Sequence, residues 1–288
     1  MDGDPRAGGV AGFRGVRDVL AAGLHPRVRS SADGSHYTSE GLLPMVPGID
    51  GVGRTAEGEL LYFVAPDDAV GTFGERAVVD RRRAVGLPAG TDPVPVAAAM
   101  NPAMSSWVAL RRRGVEVVGS SVLVLGATGN AGRTALSVAR LLGATDVVAA
   151  GRPRDGVLAV GTQEFAAAVP RVDVVLDYLW GPSAVDALRE VLTHRTDRAQ
   201  PLTWIQIGSV AGAEASIPSA FLRAANVSLK GSGQGSVSTL DIVAELLALV
   251  TEILAGRIPA EATTAPMSSI GEVWSESTVA GTRTVLVP

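Results

Sequence analysis

The 288-residue chain has no cysteine, which excludes disulfides, thiol nucleophiles and thiolate metal sites together. Histidine is scarce as well. His25, His36 and His194 are the only three, and none of their spacings places two ligands on one helical face, so zinc is not expected. There is no apolar run long enough for a transmembrane helix. Met1 to Gly15 carries Asp2, Asp4, Arg6 and several glycines but no apolar core of the kind a secretion signal needs. A cytoplasmic location is therefore expected, with no membrane partner. A basic surface for nucleic acid is missing too: the net charge is -4, and Arg111-Arg112-Arg113 reads as a solvated helix end. With 47% hydrophobic and 19% charged residues, what remains is a globular protein of one large domain or two ordinary ones.

What is present is a glycine turn. Val122 to Leu125 form an uninterrupted apolar run, as expected of a central parallel strand, and apolar residues recur at helical spacing from Arg133 to Leu142. Between them stand Gly126, Gly129 and Gly132. One suits the tight turn, one the approach of backbone to a pyrophosphate, and one the close packing of helix on strand. Thr128, Asn130 and Ala131 complete the turn and the helix start that would face the phosphates. A second apolar strand, Asp146 to Ala150, leads to Gly151 and Arg152, with Arg154 beyond. An acidic residue there accepts from a ribose 2′-hydroxyl, whereas a guanidinium pairs with a 2′-phosphate, so the expected cofactor is NADP. An arginine that simply ends a surface strand is the plainer alternative.

Around this turn the chain changes character. Before it, short apolar runs alternate with Gly, Pro and Asp: Leu42-Leu43-Pro44, Pro47 to Gly53, Leu60 to Val64 and Arg76 to Asp80. This is an all-β pattern. A small-residue helix follows Pro93 through Trp107 and Leu110. From residue 121 strands and helices alternate, which predicts a doubly wound parallel sheet: strands at Val122 to Leu125, Val147 to Ala150, Val172 to Leu176, Trp204 to Ile207 and Val227 to Lys230, with helices over 132–142 and 183–192. A helix is expected over Asp241 to Leu254, with Leu240, Val243, Leu246, Leu247 and Val250 on one face, and a last strand over Thr284 to Val287. The fold class is α/β. The expected domains are a substrate domain over 1–105, a dinucleotide-binding domain over 106–235, and a return to the first over 236–288. Asp177-Tyr178, Gly208-Ser209 and the loop around Gly233 follow later strands, where ligands of open α/β sheets lie, although glycine loops are equally plain turns.

The set resembles the medium-chain dehydrogenase/reductase superfamily, and within it the zinc-independent quinone oxidoreductase and enoyl reductase branch. The matching residues are Ala22 to Pro26, Leu43 to Gly53, Gly74 to Arg76, Ala98 to Pro102 with Ser105 to Trp107, the turn itself, Gly208-Ser209, and Gly281 to Pro288. The resemblance implies a GroES-like β domain with a Rossmann domain inserted into it. It also implies reduction of a quinone or an activated double bond by NADPH, with a small-molecule substrate and a homodimer formed through the edge strand at Val227 to Lys230. Zinc-dependent relatives keep a histidine ligand in the segment that here holds Asp50. Asp50 reads better as a turn-shaping residue.

The resemblance further places Tyr37 where enoyl reductases of this branch keep a tyrosine near the nicotinamide, making it the candidate acid; an ordinary loop tyrosine is the competing account. Asn101 and Ser105 or Ser106 resemble polar residues that face the nicotinamide and phosphate, or they cap and pack around Pro102. His25, before Pro26, stands in a loop. Family members open with two or more strands ahead of the Ala22-Gly23 region. Only about twenty residues precede it here, and Met1 to Gly15 shows no strand alternation. Reduced stability or compensating dimerisation is the expected consequence. A short-chain reductase is excluded because the turn lies in mid-chain and no Tyr is followed four residues later by Lys. A redox-inactive NADPH-binding or regulatory protein that kept the fold is the remaining alternative.

Overall fold

The computed structural model describes residues 13–39, 43–65, 70–276 and 282–288. Leu42, Gly281 and the segment 1–12, each named above, lie outside the described residues. The chain divides into two compact units, one formed by Met1–Ala98, Ala262–Ser277 and Thr284–Pro288, the other by Ala99–Glu261 and Thr278–Arg283.

In the first unit the elements are β1 (Phe13–Leu24), α1 (Pro26–Ala32), β2 (Asp50–Thr55), β3 (Leu60–Val64), β4 (Ala77–Asp80) and β5 (Ala84–Gly86). Phe13 to Gly15, which by composition do not read as strand, in fact open β1 by pairing with Asp80, Val79 and Val78 of β4. Their partners come from a distant segment, so local alternation carries no sign of them. Two register shifts bend β1, letting it meet β4 first, β2 in its middle and the last strand at Ala22 to Leu24. Val19, Ala22, Leu61, Phe63, Ala77 and Val79 form its core.

The second unit follows from α2 (Pro93–Arg112), whose last fourteen residues belong to it. Then come β6 (Ser121–Leu125), α3 (Asn130–Leu141), β7 (Asp146–Ala150), α4 (Gln163–Ala168), β8 (Val174–Asp177), α5 (Gly181–His194), β9 (Leu202–Gln206), α6 (Phe221–Ala224), β10 (Val227–Gly231), α7 (Thr239–Ala244) and α8 (Leu246–Leu254). The chain returns to the first unit through β11 (Ala262–Pro266), α9 (Ile270–Trp274) and β12 (Arg283–Val287). The first sheet has the order β11-β12-β1-β2-β3-β5, with β4 on β1.

The parallel sheet has the order β10-β9-β8-β6-β7. All five side chains of the interior strand β6 are buried, as the unbroken apolar run requires. Strand order reverses at β6, because β7 lies on one side and β8 on the other. This is the switch point at which open α/β sheets bind ligands. Leu123, Leu125, Phe165, Val175, Leu188 and Trp204 fill the core beneath it.

Two features of the carboxyl-terminal third differ from expectation. The helix expected over 241–254 is two helices that meet at Glu245. Its buried face is Leu246, Leu249, Val250 and Ile253, while Leu240 and Leu247 are exposed. The cause is Glu245, itself buried, which accepts from the Trp107 indole N–H at 2.8 Å and from Nε of Arg111 and Arg112, each at 2.7 Å. That contact turns the helix and ties α7 and α8 to α2. They accordingly stay with the parallel-sheet unit, which runs to Glu261 rather than to the expected 235.

Candidate functional site

The carboxyl end of β6 is built by steric exclusion. Gly126 has φ +88°, in the left-handed region. Its N–H and that of Ala127 both donate to the Ala150 carbonyl, at 2.8 and 3.0 Å, so the turn is buttoned to the end of β7. At Gly132 an added Cβ would stand 2.2 Å from the Gly126 carbonyl oxygen, so α3 packs on the turn only because this residue has no side chain. Gly129 differs. A Cβ there would meet only the Gly126 oxygen, at an ordinary 3.5 Å. Its glycine leaves room on the outer side, where a ligand's phosphate would come.

α3 starts at Asn130 with no side-chain cap from Gly129, so the N–H groups of its first turn are open to an anion. Among these residues Thr128 and Gly132 are buried and Ala131 is half-buried. The Asn130 side chain points elsewhere: its Nδ2 donates to the Thr282 carbonyl at 2.7 Å. Gly151 and Arg152 follow β7 directly. Arg152 is exposed, and its side chain has no hydrogen bond or ion pair among the described residues. Arg154 is also exposed, on a tight turn closed by Val157 N–H. An anionic group at the end of β7 would find two unengaged guanidinium groups.

A second wall comes from β8. The Asp177 carboxylate is buried and accepts from the N–H groups of Leu179 and Trp180 at 2.8 and 2.9 Å and from the Trp204 indole at 3.0 Å. Burial pushes its carboxyl above the ordinary range, and these three donors pull it back in part. The clamp holds Trp180 at φ +52°, ψ -161°, a region that is nearly glycine-only and costs about 1–3 kcal/mol.

Tyr178 lies between two glycine turns. A Cβ on Gly126 would come 3.2 Å from its Cβ, and one on Gly208 would come 2.8 Å from its carbonyl oxygen. Its hydroxyl is 2.9 Å from Ser105 Oγ on α2, and Ser105 in turn donates to the Pro102 carbonyl at 2.7 Å. The Ser105 proton is thus engaged, and Tyr178 is the donor of the pair. Burial pushes the Tyr178 hydroxyl up to about 12, with the Ser105 and Ser106 hydroxyls opposing the rise in part. It stays a neutral hydroxyl at physiological pH.

The turn residues, Gly151, Arg152, Tyr178, Ser105 and Gly208 therefore meet at one end of the parallel sheet. Asn101 is half-buried one helical turn before Ser105, and Ser209 is exposed beside Gly208. Gly233 is spent on its own turn, donating to Ser236 Oγ at 2.8 Å and accepting from Ser236 N–H at 3.1 Å. Tyr37 belongs to the other unit, 70% exposed after α1, with its ring against that of His36.

The β-rich unit holds a cluster that the sequence did not disclose. Asp50 opens β2 and is buried, with Oδ1 2.9 Å from His25 Nε2 and Oδ2 accepting from the Tyr62 hydroxyl at 2.7 Å. Thr72 Oγ1 donates to its backbone carbonyl at 2.9 Å. Asp50 therefore does more than shape a turn: it joins α1, β2 and β3. Burial, and then the Asp50 carboxylate, hold the Tyr62 hydroxyl well above its ordinary value.

No protein-family model matches the chain. A protein of Emericella nidulans named as a probable NADPH-dependent quinone reductase is 31% identical over 326 residues, covering 94% of this chain and 91% of that protein. Among solved structures, an alcohol dehydrogenase superfamily protein from Novosphingobium aromaticivorans superposes with a TM-score of 0.78 at 18% identity, over 100% of this chain and 95% of that one. A mycobacterial quinone oxidoreductase does so with a TM-score of 0.75 at 18% identity, over 100% and 94%. These two likenesses establish the fold, a GroES-like β-rich unit with a Rossmann unit. The first relative carries the family: the chain belongs to the medium-chain dehydrogenase/reductase superfamily, in its quinone oxidoreductase-like branch.

Proposed function

We propose that the protein is a zinc-independent, NADPH-dependent oxidoreductase that reduces a quinone or the double bond of an α,β-unsaturated carbonyl compound. The observation that carries this reading is the cradle at the switch point, where Gly132 lets α3 close on the turn, Gly129 leaves space, and Arg152 stands unengaged at the end of β7. The first relative's name and its coverage of both chains support the same cofactor. The turn from Gly126 to Gly132, with Thr128, the backbone of Asn130 and Ala131, would hold the pyrophosphate. Gly151, Arg152 and Arg154 would hold the 2′-phosphate, and Asn101, Ser105, Tyr178, Gly208, Ser209 and Gly233 would line the nicotinamide half. When bound, NADPH supplies the hydride. The anion left on the acceptor then needs one proton, which Tyr37 would give and regain from solvent.

Replacing Arg152 with Ala is expected to weaken NADPH by about 1.5–3 kcal/mol, the worth of a hydrogen bond to a charged group, and NADH hardly at all. Fluorescence titration with both nucleotides measures it, and equal weakening removes the assigned role. Steady NADPH oxidation with simple quinones and enones tests the activity. In the Tyr37→Phe variant kcat should fall about a hundredfold with NADPH affinity unchanged; an unaltered kcat would make water the donor.

One observation favours the alternative of a redox-inactive NADPH-binding or regulatory protein. Tyr37 stands largely in solvent, with only the His36 ring against it. Tight NADPH binding without turnover on any such acceptor would establish that alternative. A homodimer in the cytoplasm is also proposed. β10, which pairs only with β9 among the described residues, would continue the sheet into a second copy. Sedimentation should give twice the 29.4 kDa chain mass, and a monomer at micromolar concentration would refute it.

A further inference from the structure

Two points where the chain leaves the parallel-sheet unit for the β-rich one are fully described, between Glu261 and Ala262 and between Arg283 and Thr284. Both are gripped by the first turn of α3. Arg133 reaches Glu261 with a pair of bonds, NH2 to Oε1 at 3.0 Å and NH1 to Oε2 at 3.3 Å, and Asn130 Nδ2 donates to the Thr282 carbonyl at 2.7 Å. The two crossings are joined to each other by Arg283 N–H on the Glu261 carbonyl at 3.0 Å.

Neither grip is built for stability. Arg133 and Glu261 are 33% and 57% exposed, and such half-exposed pairs contribute little. Asn130 makes its bond although its Oδ1 is left buried without a partner. What they share is placement on a single helical turn, the one beside the glycine turn, whose N–H donors are met by no N-cap side chain and gain order when an anion takes them.

We propose that Asn130 and Arg133 are positioning residues that carry occupancy of the dinucleotide cradle to β11 and β12, the strands that begin just past the two crossings. The inference rests on the cofactor assignment made above. Fixing the first turn of α3 fixes both side chains, and through them Thr282 and Glu261. Cofactor binding becomes the step that sets the returning strands. By linkage, loosening those strands also loosens the first turn of α3.

Hydrogen exchange on the full chain with and without saturating NADPH tests this. Amides over 261–266 and 283–287 should exchange at least about threefold more slowly with NADPH, an effect of the size a 0.6–0.7 kcal/mol coupling produces, while β3, in the same unit, stays unchanged. In Arg133→Ala the slowing should vanish and the acceptor KM rise, with NADPH affinity within about threefold of the native chain, and Asn130→Ala should likewise lose the slowing. Arg133→Lys, which keeps one charged donor, should restore part of the slowing. Exchange that slows only over 121–154 in the native chain overturns the inference and leaves the cofactor assignment standing, even if neither variant folds. Slowing that persists in both variants, or a large loss of NADPH affinity in Arg133→Ala, overturns the positioning role. No NADPH binding by the native chain overturns both.

Discussion

Replacing Gly132 with alanine should lower NADPH affinity by about a hundredfold or more, equivalent to about 2.7 kcal/mol. The new methyl would stand 2.2 Å from the Gly126 carbonyl oxygen, 2.7 Å from its carbon and 2.8 Å from Ala127 Cα. All three are backbone atoms, so no side chain can swing aside. Either the turn opens, which breaks the two bonds from Gly126 and Ala127 to Ala150, or α3 moves and takes its N–H donors with it. Overpacking of this kind costs about 1–3 kcal/mol of stability in addition. Gly129→Ala is the control, since its methyl meets only the Gly126 oxygen at 3.5 Å. That variant should keep the native Tm and still bind NADPH poorly, because the space it fills is the ligand's. Native affinity in Gly132→Ala, measured by fluorescence titration, would remove the turn from the cofactor site.

The contrast between the two glycines explains what was legible beforehand. A strand, a turn and a helix start are local, so Val122 to Leu125, the glycine spacing and Arg152 could be read from neighbours in sequence. The same holds for the doubly wound parallel sheet, which follows from the alternation of strands and helices. Contacts between distant residues could not be read. Asp50 meets Tyr62 twelve residues away and His25 twenty-five away, and neither spacing is a motif. Asn130 fits the turn pattern by position, yet its side chain serves Thr282, 152 residues on. Gly233 fits a glycine-rich loop, but its polar groups close that loop on Ser236. Asp177 did leave a signal: a lone carboxylate ending a fully apolar strand has to find donors, and the next two peptide groups supply them.

The clamp on Trp180 links this accounting to function. A tryptophan at φ +52° persists only where its surroundings over-determine it. Here the Asp177 carboxylate holds its N–H, and the Gly181 that follows cannot carry a Cβ, which would lie 2.7 Å from the Ala211 carbonyl oxygen. The Ala211 N–H in turn bonds the Leu179 carbonyl at 2.8 Å. The loops after β8 and β9 are therefore locked to each other, and with them the Tyr178 and Gly208 backbone that walls the site. Under the proposed function, loops so locked at the sheet's carboxyl end would hold the nicotinamide half in one orientation, the positioning on which hydride delivery depends.

The largest loss of stability should come from Glu245→Ala, about 3–5 kcal/mol by chemical denaturation, the range for removing one partner of a buried ion pair. Glu245 is 2% exposed, whereas Arg111 and Arg112 are 44% and 33% exposed and can turn back to water. The value therefore belongs at the lower end. The Trp107 indole has no such escape, because its ring is buried and its N–H would lose the Glu245 acceptor. Glu245→Gln keeps an oxygen for that N–H and loses the charge, so it should cost about 1.5–3 kcal/mol, the worth of charged hydrogen bonds. Burial raises the Glu245 carboxyl, but the bonds from Trp107 and Arg111 outweigh it and hold the group below the ordinary glutamate value. A depressed carboxyl contributes stability that is fully present above its unfolded value, about 4.3, and is lost as pH falls through the folded one. Native and Glu245→Gln proteins should accordingly differ most above about pH 5 and draw together as the pH falls below the unfolded glutamate value. Unfolding curves for the two that stay parallel across this range would show that Glu245 does not carry the charge its partners are arranged to meet.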